Sequence, residues 1–261
     1  MCTALNWNNY FGRTLDWYEG YDEQVAVMPR RYLADHAYAM VGMAHATKEM
    51  PLYFDAMNEK GLCMAGLNFP KSAVYAEKGM PPHWLIPYIL GRCQTVKEAL
   101  PLLDEMVIAD IPPKGMQTAK LHWLLADKDN ALAIEPTEKG LCLYDNPTGV
   151  LANEPPFPEQ LSERDKEHRE NSSPWRFARA VRLREKASVF EDGRENISQF
   201  FHIADAVARV QGVDKEYTRY TCCMDRENLT YYYTTYHNRT LSAVSLRERE
   251  ITGSKVRLYP L

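Results

Sequence analysis

Apolar and polar positions alternate with a period near two through the first 70 residues, which predicts a strand-rich opening. Cys2-Thr3-Ala4-Leu5 reads as a strand, Asn9-Tyr10-Phe11-Gly12 as a turn and Arg13-Thr14-Leu15-Asp16-Trp17 as the returning arm. Further strands are predicted over residues 24–29, 38–44, 52–57 and 62–69, the last two flanking the loop Asn58-Glu59-Lys60-Gly61 as a hairpin. The spacing then turns helical over 84–93 and 96–106, with Thr95 as an N-cap and Pro101 as a kink. A second strand series, 121–127, 131–136, 141–144 and 150–153, is broken by short polar turns and predicts an antiparallel meander. The charge run 162–171 reads as a solvated loop, 175–190 and 197–210 as helices, and 219–226, 230–237, 241–246 and 255–259 as closing strands.

Strands, helices, strands, helices and strands in that order do not match the alternation of a doubly wound parallel sheet. The order predicts an α+β fold, a four-layer αββα sandwich in which two stacked antiparallel sheets lie between helical layers. With 261 residues and no Pro/Gly/Ser-rich linker, residues 1–261 are expected to form one domain.

The net charge of -4 arises from interspersed acids and bases, so no phosphate-binding face emerges and nucleic acid is excluded as a partner. No apolar run approaches the roughly 20 residues needed to span a bilayer, and the N-terminus lacks the basic and apolar regions of a secretory signal. A cytoplasmic protein without a membrane partner is expected. The cysteines at 2, 63, 93, 142, 222 and 223 have no metal or redox spacing, and no histidine pairs at ligand spacing, so no metal site is expected.

Cys2 carries the chemistry. Removal of Met1 would put a thiol and a free α-amine on one residue, and an α-amine, with an ordinary pKa of about 7.7–8.0, is a base near neutrality. The hairpin returns Arg13 and Asp16 to the same end of the chain: a guanidinium favours thiolate over thiol, and a carboxylate can orient the amine. Residues three apart on a regular strand face opposite ways, so Arg13 is expected in the turn or beside a bulge if both are to reach Cys2.

Several blocks then occur in a familiar order: Met1-Cys2-Thr3, Phe11-Gly12-Arg13 followed by Asp16, Met57-Asn58-Glu59-Lys60-Gly61-Leu62, Ala65-Gly66-Leu67-Asn68-Phe69-Pro70, Leu121-His122-Trp123, and Tyr220-Thr221 before Cys223-Met224. On these the sequence resembles the choloylglycine hydrolases, the bile salt hydrolases and penicillin V acylases of the N-terminal nucleophile superfamily. The resemblance implies that superfamily's fold, an amidohydrolase acting on linear C–N amides, and no cofactor. It implies Cys2 as nucleophile, Arg13 and Asp16 beside the thiol, the Asn153 side chain and the Asn68 backbone amide as oxyanion donors, and Arg176 as a second active-site arginine. Asparagine at 68 is more like the bile salt hydrolases, since penicillin V acylases tend to carry tyrosine there.

An amphipathic acyl conjugate is therefore the expected small-molecule partner, in a pocket lined by Leu15, Trp17, Tyr53, Phe54 and Leu67. Only 22 residues separate Asn153 from Arg176. Bile salt hydrolases carry a longer insertion there, including a loop that helps tetramers assemble, so the short charged stretch is expected to supply neither that wall nor that contact. A homo-oligomer remains open. So do cleavage of penicillin V or of other N-acyl amides and N-acyl homoserine lactones, acyl transfer, and a non-catalytic binding protein on the same scaffold.

Overall fold

The computed structural model describes residues 1–47 and 50–261. Along the chain run β1 (Cys2–Trp7), β2 (Tyr10–Trp17), β3 (Glu23–Met28), β4 (Met40–His45), β5 (Leu52–Asn58) and β6 (Cys63–Asn68). A 3₁₀ turn (Pro82–Trp84) leads into α1 (Leu85–Leu90) and α2 (Val96–Asp104), followed by β7 (Leu121–Ala126), β8 (Ala131–Thr137), β9 (Gly140–Asp145) and β10 (Val150–Ala152). Then come α3 (Phe157–Glu163), α4 (Ser173–Lys186), α5 (Gly193–Asp205), β11 (Tyr217–Asp225), β12 (Thr230–Thr235), β13 (Ser242–Ser245), α6 (Glu248–Ile251) and β14 (Arg257–Pro260).

The strands form two antiparallel sheets, one in the order β10-β1-β2-β11-β12-β13 and the other β14-β3-β4-β5-β6-β7-β8-β9. Helices α4 and α5 cover the first sheet at β10 and β11, and α1 covers the second at β5 and β6, giving the αββα layers. One core, including Phe11, Met57, Leu124 and Tyr220, fills the space between the sheets and continues beneath α4 and α5 through Phe177 and Phe200. The other, with Met64, Trp123, Leu85 and Ile89, lies under α1 and α2. Each fully buried large apolar side chain of these cores contributes about 1.5–3 kcal/mol by transfer from water.

Several boundaries differ from the sequence pattern. Tyr10, Phe11 and Gly12 belong to β2 and not to the turn, because Asn8 takes the left-handed conformation (φ 53) and Trp7 already pairs with Tyr10 across a two-residue loop. Gly12 has a different reason to be glycine: a Cβ there would lie 2.0 Å from the Cys222 carbonyl oxygen of β11. Residues 150–153 do not continue the meander; β10 crosses to the other sheet and pairs with β1, Thr3 opposite Ala152. The charge run 162–171 begins inside α3, which Phe157 anchors by full burial. Thr95 does cap α2, accepting from the Glu98 amide at 3.2 Å, and Pro101 lies within that helix.

The hairpin over Asn58–Gly61 shows how a turn residue can also hold a layer. The Asn58 Oδ1 accepts from the amides of Lys60 and Leu62, while its Nδ2 donates to the carbonyls of Leu90 and Cys93 beyond α1. Gly61 closes the turn at φ +82, a conformation that disfavours side chains.

Candidate active site

β1 lies between β10 and β2, so both neighbours bring residues to Cys2. Leu15 pairs with Cys2 from β2, and the register of Thr3 with Ala152 carries on to set Asn153 beside Cys2. The Asn153 Oδ1 accepts from the Cys2 backbone N–H and from Arg176 Nη2 at 3.0 Å. Its Nδ2 donates to the Asn68 carbonyl at 2.7 Å, joining the ends of β10 and β6.

Arg176 sits in the first turn of α4, which Ser172 caps by accepting from the Trp175 amide. Its guanidinium donates to Thr3 Oγ1 (3.2 Å), to the Asn171 carbonyl (2.8 Å) and to Asn153 Oδ1, and Nη2 is 3.5 Å from the Cys2 carbonyl. Burial lowers its pKa, with Asp16 opposing. Asp16 accepts from Thr218 Oγ1 at 2.7 Å through Oδ1, whereas its buried Oδ2 has no hydrogen-bond partner among the described residues. Burial raises the Asp16 carboxyl above the ordinary range, and Arg176 and the N-terminal ammonium pull it back.

Arg13 occupies the other face of β2. It is in regular strand, paired with Ala4 and Cys222, and the irregular register lies instead on β11 between Thr218 and Tyr220. The expectation of a turn or bulge at Arg13 is thus corrected: the alternation that turns Arg13 and Asp16 apart lets one approach Cys2 from the inter-sheet face and the other from the helix face. Arg13 Nη1 donates to the carbonyls of Gly66 and Phe54 in the opposite sheet. Burial would lower its pKa, but the neighbouring Cys2, Tyr220 and Asp55 groups outweigh it and raise the pKa. Asp55 itself accepts from Tyr220 (2.5 Å) and Tyr231 (2.7 Å), pinning the two sheets together beneath Arg13.

Cys2, Arg13, Asp16, Asn68 and Asn153 line one cavity of about 1620 Å³, with Arg176 behind Asn153. Trp17 and Phe54 present half-buried faces to it, and Leu15 and Tyr53 touch it while only 5% exposed. Leu67 is placed elsewhere. It is fully buried in the core between the sheets, on the opposite face of β6 from Gly66 and Asn68, so the proposed pocket role is corrected. Glu163, Arg169, Glu170 and Asn171, at or in the charged stretch, form part of the cavity wall.

Sequence reasoning missed three contributors. Tyr21 completes an aromatic row, stacked on Trp17 at 6.0 Å and tilted against Phe54 at 5.5 Å; the aromatic-rich loop after β2 was the available signal. Glu216, paired with Arg209, receives the Met1 ammonium, which also donates to the Asp16 carbonyl, and nothing in the linear pattern marks it. Glu154 accepts from the Lys71 amide and Ser72 Oγ, clasping the loop after β6 next to the two asparagines.

A family model for linear amide C-N hydrolases of the choloylglycine hydrolase family matches residues 2–166 and 170–259. The chain belongs to this family. The break in the match falls inside the short charged stretch. Among its relatives is a "Bile salt hydrolase/transferase" of Lactiplantibacillus plantarum, 34% identical over an alignment of 314 residues that covers 100% of this chain and 97% of that protein. Of solved structures, a variant of conjugated bile acid hydrolase from Clostridium perfringens superposes with a TM-score of 0.87 at 26% identity, covering 99% of this chain and 96% of the other. Penicillin V acylase from Agrobacterium tumefaciens shares the fold, with a TM-score of 0.84 at 19% identity, 99% of this chain and 90% of that one. The choloylglycine hydrolase member described here therefore has the antiparallel sandwich of these enzymes.

Proposed function

We propose that this choloylglycine hydrolase family member cleaves conjugated bile salts or closely similar N-acyl amides, with Cys2 as nucleophile once Met1 has been removed. The observation that carries the reading is the position of Cys2, 2% exposed, at the wall of an open cavity and flanked by Arg13, Asp16 and Asn153.

The Cys2 sulfur attacks the amide carbonyl carbon, and its proton passes to the α-amine of the same residue. Asp16, with an unpartnered buried oxygen, is available to hold that amine. Negative charge on the carbonyl oxygen is met by the second proton of Asn153 Nδ2 and by the Asn68 amide. Collapse breaks the C–N bond, the α-ammonium returns its proton to the leaving amine, and a thioester remains. Water, deprotonated by the α-amine, then releases the acid and regenerates the thiol. The row of Trp17, Tyr21 and Phe54 suits an apolar acyl body, which the names of the relatives support as a bile acid.

Incubation with glycine- and taurine-conjugated bile salts and with penicillin V, comparing the parent with Cys2→Ala and Cys2→Ser, tests this. An alanine variant that cleaves as fast as the parent would overturn the nucleophile assignment. The name of the 34% identical relative also supports acyl transfer to a competing amine as a second reading. Product mass spectra in excess amine separate the two, since a strict hydrolase releases only the free acid.

A further inference from the structure

Arg13 is 1% exposed, yet its guanidinium is held by carbonyls and not by an ion pair among the described residues: Nε donates to Thr14 at 3.2 Å, and Nη1 to Phe54 at 3.2 Å and to Gly66. Its charge is answered from within the same layer. Asp55 follows Phe54 on β5 and is fully buried between the sheets, where Tyr220 donates to Oδ2 at 2.5 Å and Tyr231 to Oδ1 at 2.7 Å, with Cys222 Sγ 3.6 Å from Oδ1. Cys222 is also the β11 residue that pairs with Arg13. Burial pushes the two hydroxyls and the Cys222 thiol well above their ordinary pKa values, so all three stay protonated and act as donors. A carboxylate that receives three donors is favoured in its charged form. Burial raises the Asp55 pKa, and Arg13, both hydroxyls and the Met43 amide oppose that rise.

We propose that Asp55 is a positioning residue that acts through Arg13: its buried charge offsets the guanidinium and keeps the Cys2 thiol protonated until the α-amine of the same residue takes the proton. This deepens the reading of Cys2 as nucleophile and rests on it. A buried cation without a counter-charge beside sulfur would ionise the thiol outright, and nucleophilicity falls as thiol pKa falls. It would also deprive the α-amine of the proton that the leaving amine later needs. Three carbonyls already fix the place of the guanidinium, so Asp55 supplies charge and not location. The other charged or titratable groups about Cys2 are Asp16 on β2, Arg176 on α4, Tyr21 in the loop after β2, and Glu216, which is paired with Arg209. All of them are common to the parent and to a variant at position 55.

The test compares the parent with Asp55→Asn, each as the full-length chain with Met1 removed, by following iodoacetamide alkylation of the Cys2 peptide by mass across a pH series. Asparagine keeps the shape of the side chain and an oxygen for a tyrosine hydroxyl but loses the charge. The pH midpoint of alkylation is expected to fall by about one pH unit or more in the variant, the effect of a guanidinium no longer offset. A folded Asp55→Asn whose midpoint is unchanged or raised overturns the proposal, since a merely structural role would lower stability and leave the midpoint in place. Should the variant fail to fold, the parent decides: its Asp55 carboxyl carbon resonance is expected to report an ionised group at neutral pH. A protonated carboxyl there overturns the proposal, because a neutral group offsets nothing. A Cys2→Ala variant that cleaves substrate as fast as the parent would instead sink the nucleophile reading, whatever the alkylation midpoints show.

Discussion

Arg13 and Asp16 stand three residues apart on β2 and so on opposite faces of the six-stranded sheet, Arg13 bonded to Gly66 and Phe54 across the sandwich and Asp16 bonded to Thr218 beside Arg176. This division predicts separable effects on one residue. On the proposed mechanism, Asp16→Asn should lower kcat by about 10²–10⁴-fold, because it removes the group assigned to orient the proton-carrying amine. The rate at which iodoacetamide alkylates Cys2 at a fixed pH should stay within a few-fold, since Arg13 and the sulfur's surroundings are untouched. Steady-state kinetics and mass-monitored alkylation read the two; equal losses in both would contradict the division.

Asn153 joins three parts of the site: Cys2 through its own N–H, Arg176, and the Asn68 carbonyl. On the proposed mechanism, Asn153→Ala should raise the barrier by about 2.7–4 kcal/mol, roughly 10²–10³-fold in kcat, with a smaller change in KM, because the lost donor is assigned to charge that develops in the transition state. A change confined to KM would show that the amide binds substrate without stabilising the oxyanion.

Gly12 predicts a stability effect without a chemical one. A Cβ 2.0 Å from the Cys222 carbonyl forces β2 and β11 apart, so Gly12→Ala should destabilise the chain by about 1–3 kcal/mol or more, in line with overpacking of a tight core. Urea unfolding measures it; a midpoint equal to the parent's would mean that the strands can part without cost.

The layers were legible in the sequence because period-two and helical spacing report which faces are buried, and those faces make the two cores. Sheet membership was not. Residues 150–152 carry the same apolar run whether they extend a meander or cross to pair with β1, and only the position of β1 decides. Cys2, Arg13 and Asp16 were readable because the chemistry of a thiol, a cation and a carboxylate is local to one hairpin. Glu154 and Glu216 act through distant partners, which no local pattern encodes, whereas Tyr21 was signalled only by the aromatic-rich loop after β2. Leu67 was misplaced because an apolar residue beside a site residue on a strand faces away from it.

His122 gives a prediction about acid. It lies on β7 opposite Leu67, its ring stacked on Phe69 at 4.1 Å and its Nδ1 3.4 Å from Glu135 Oε1, which also accepts from the Phe157 amide. Burial lowers the His122 pKa, with Glu135 opposing, so the folded chain holds a neutral imidazole below the pH at which the unfolded chain, near pKa 6.5, becomes protonated. The unfolded state then binds more protons, and stability rises with pH across that window: it is complete above about 6.5 and is lost as pH falls toward the lowered folded value. The loss attributable to this group approaches about 1.4 kcal/mol per pH unit. His36 and His83 shift in the same direction, so the comparison must be with a variant that keeps them. His122→Gln, neutral at every pH, should show an unfolding free energy that falls less steeply than the parent's between about pH 6.5 and 5. Parallel slopes would mean that His122 takes up its proton in the fold as readily as out of it.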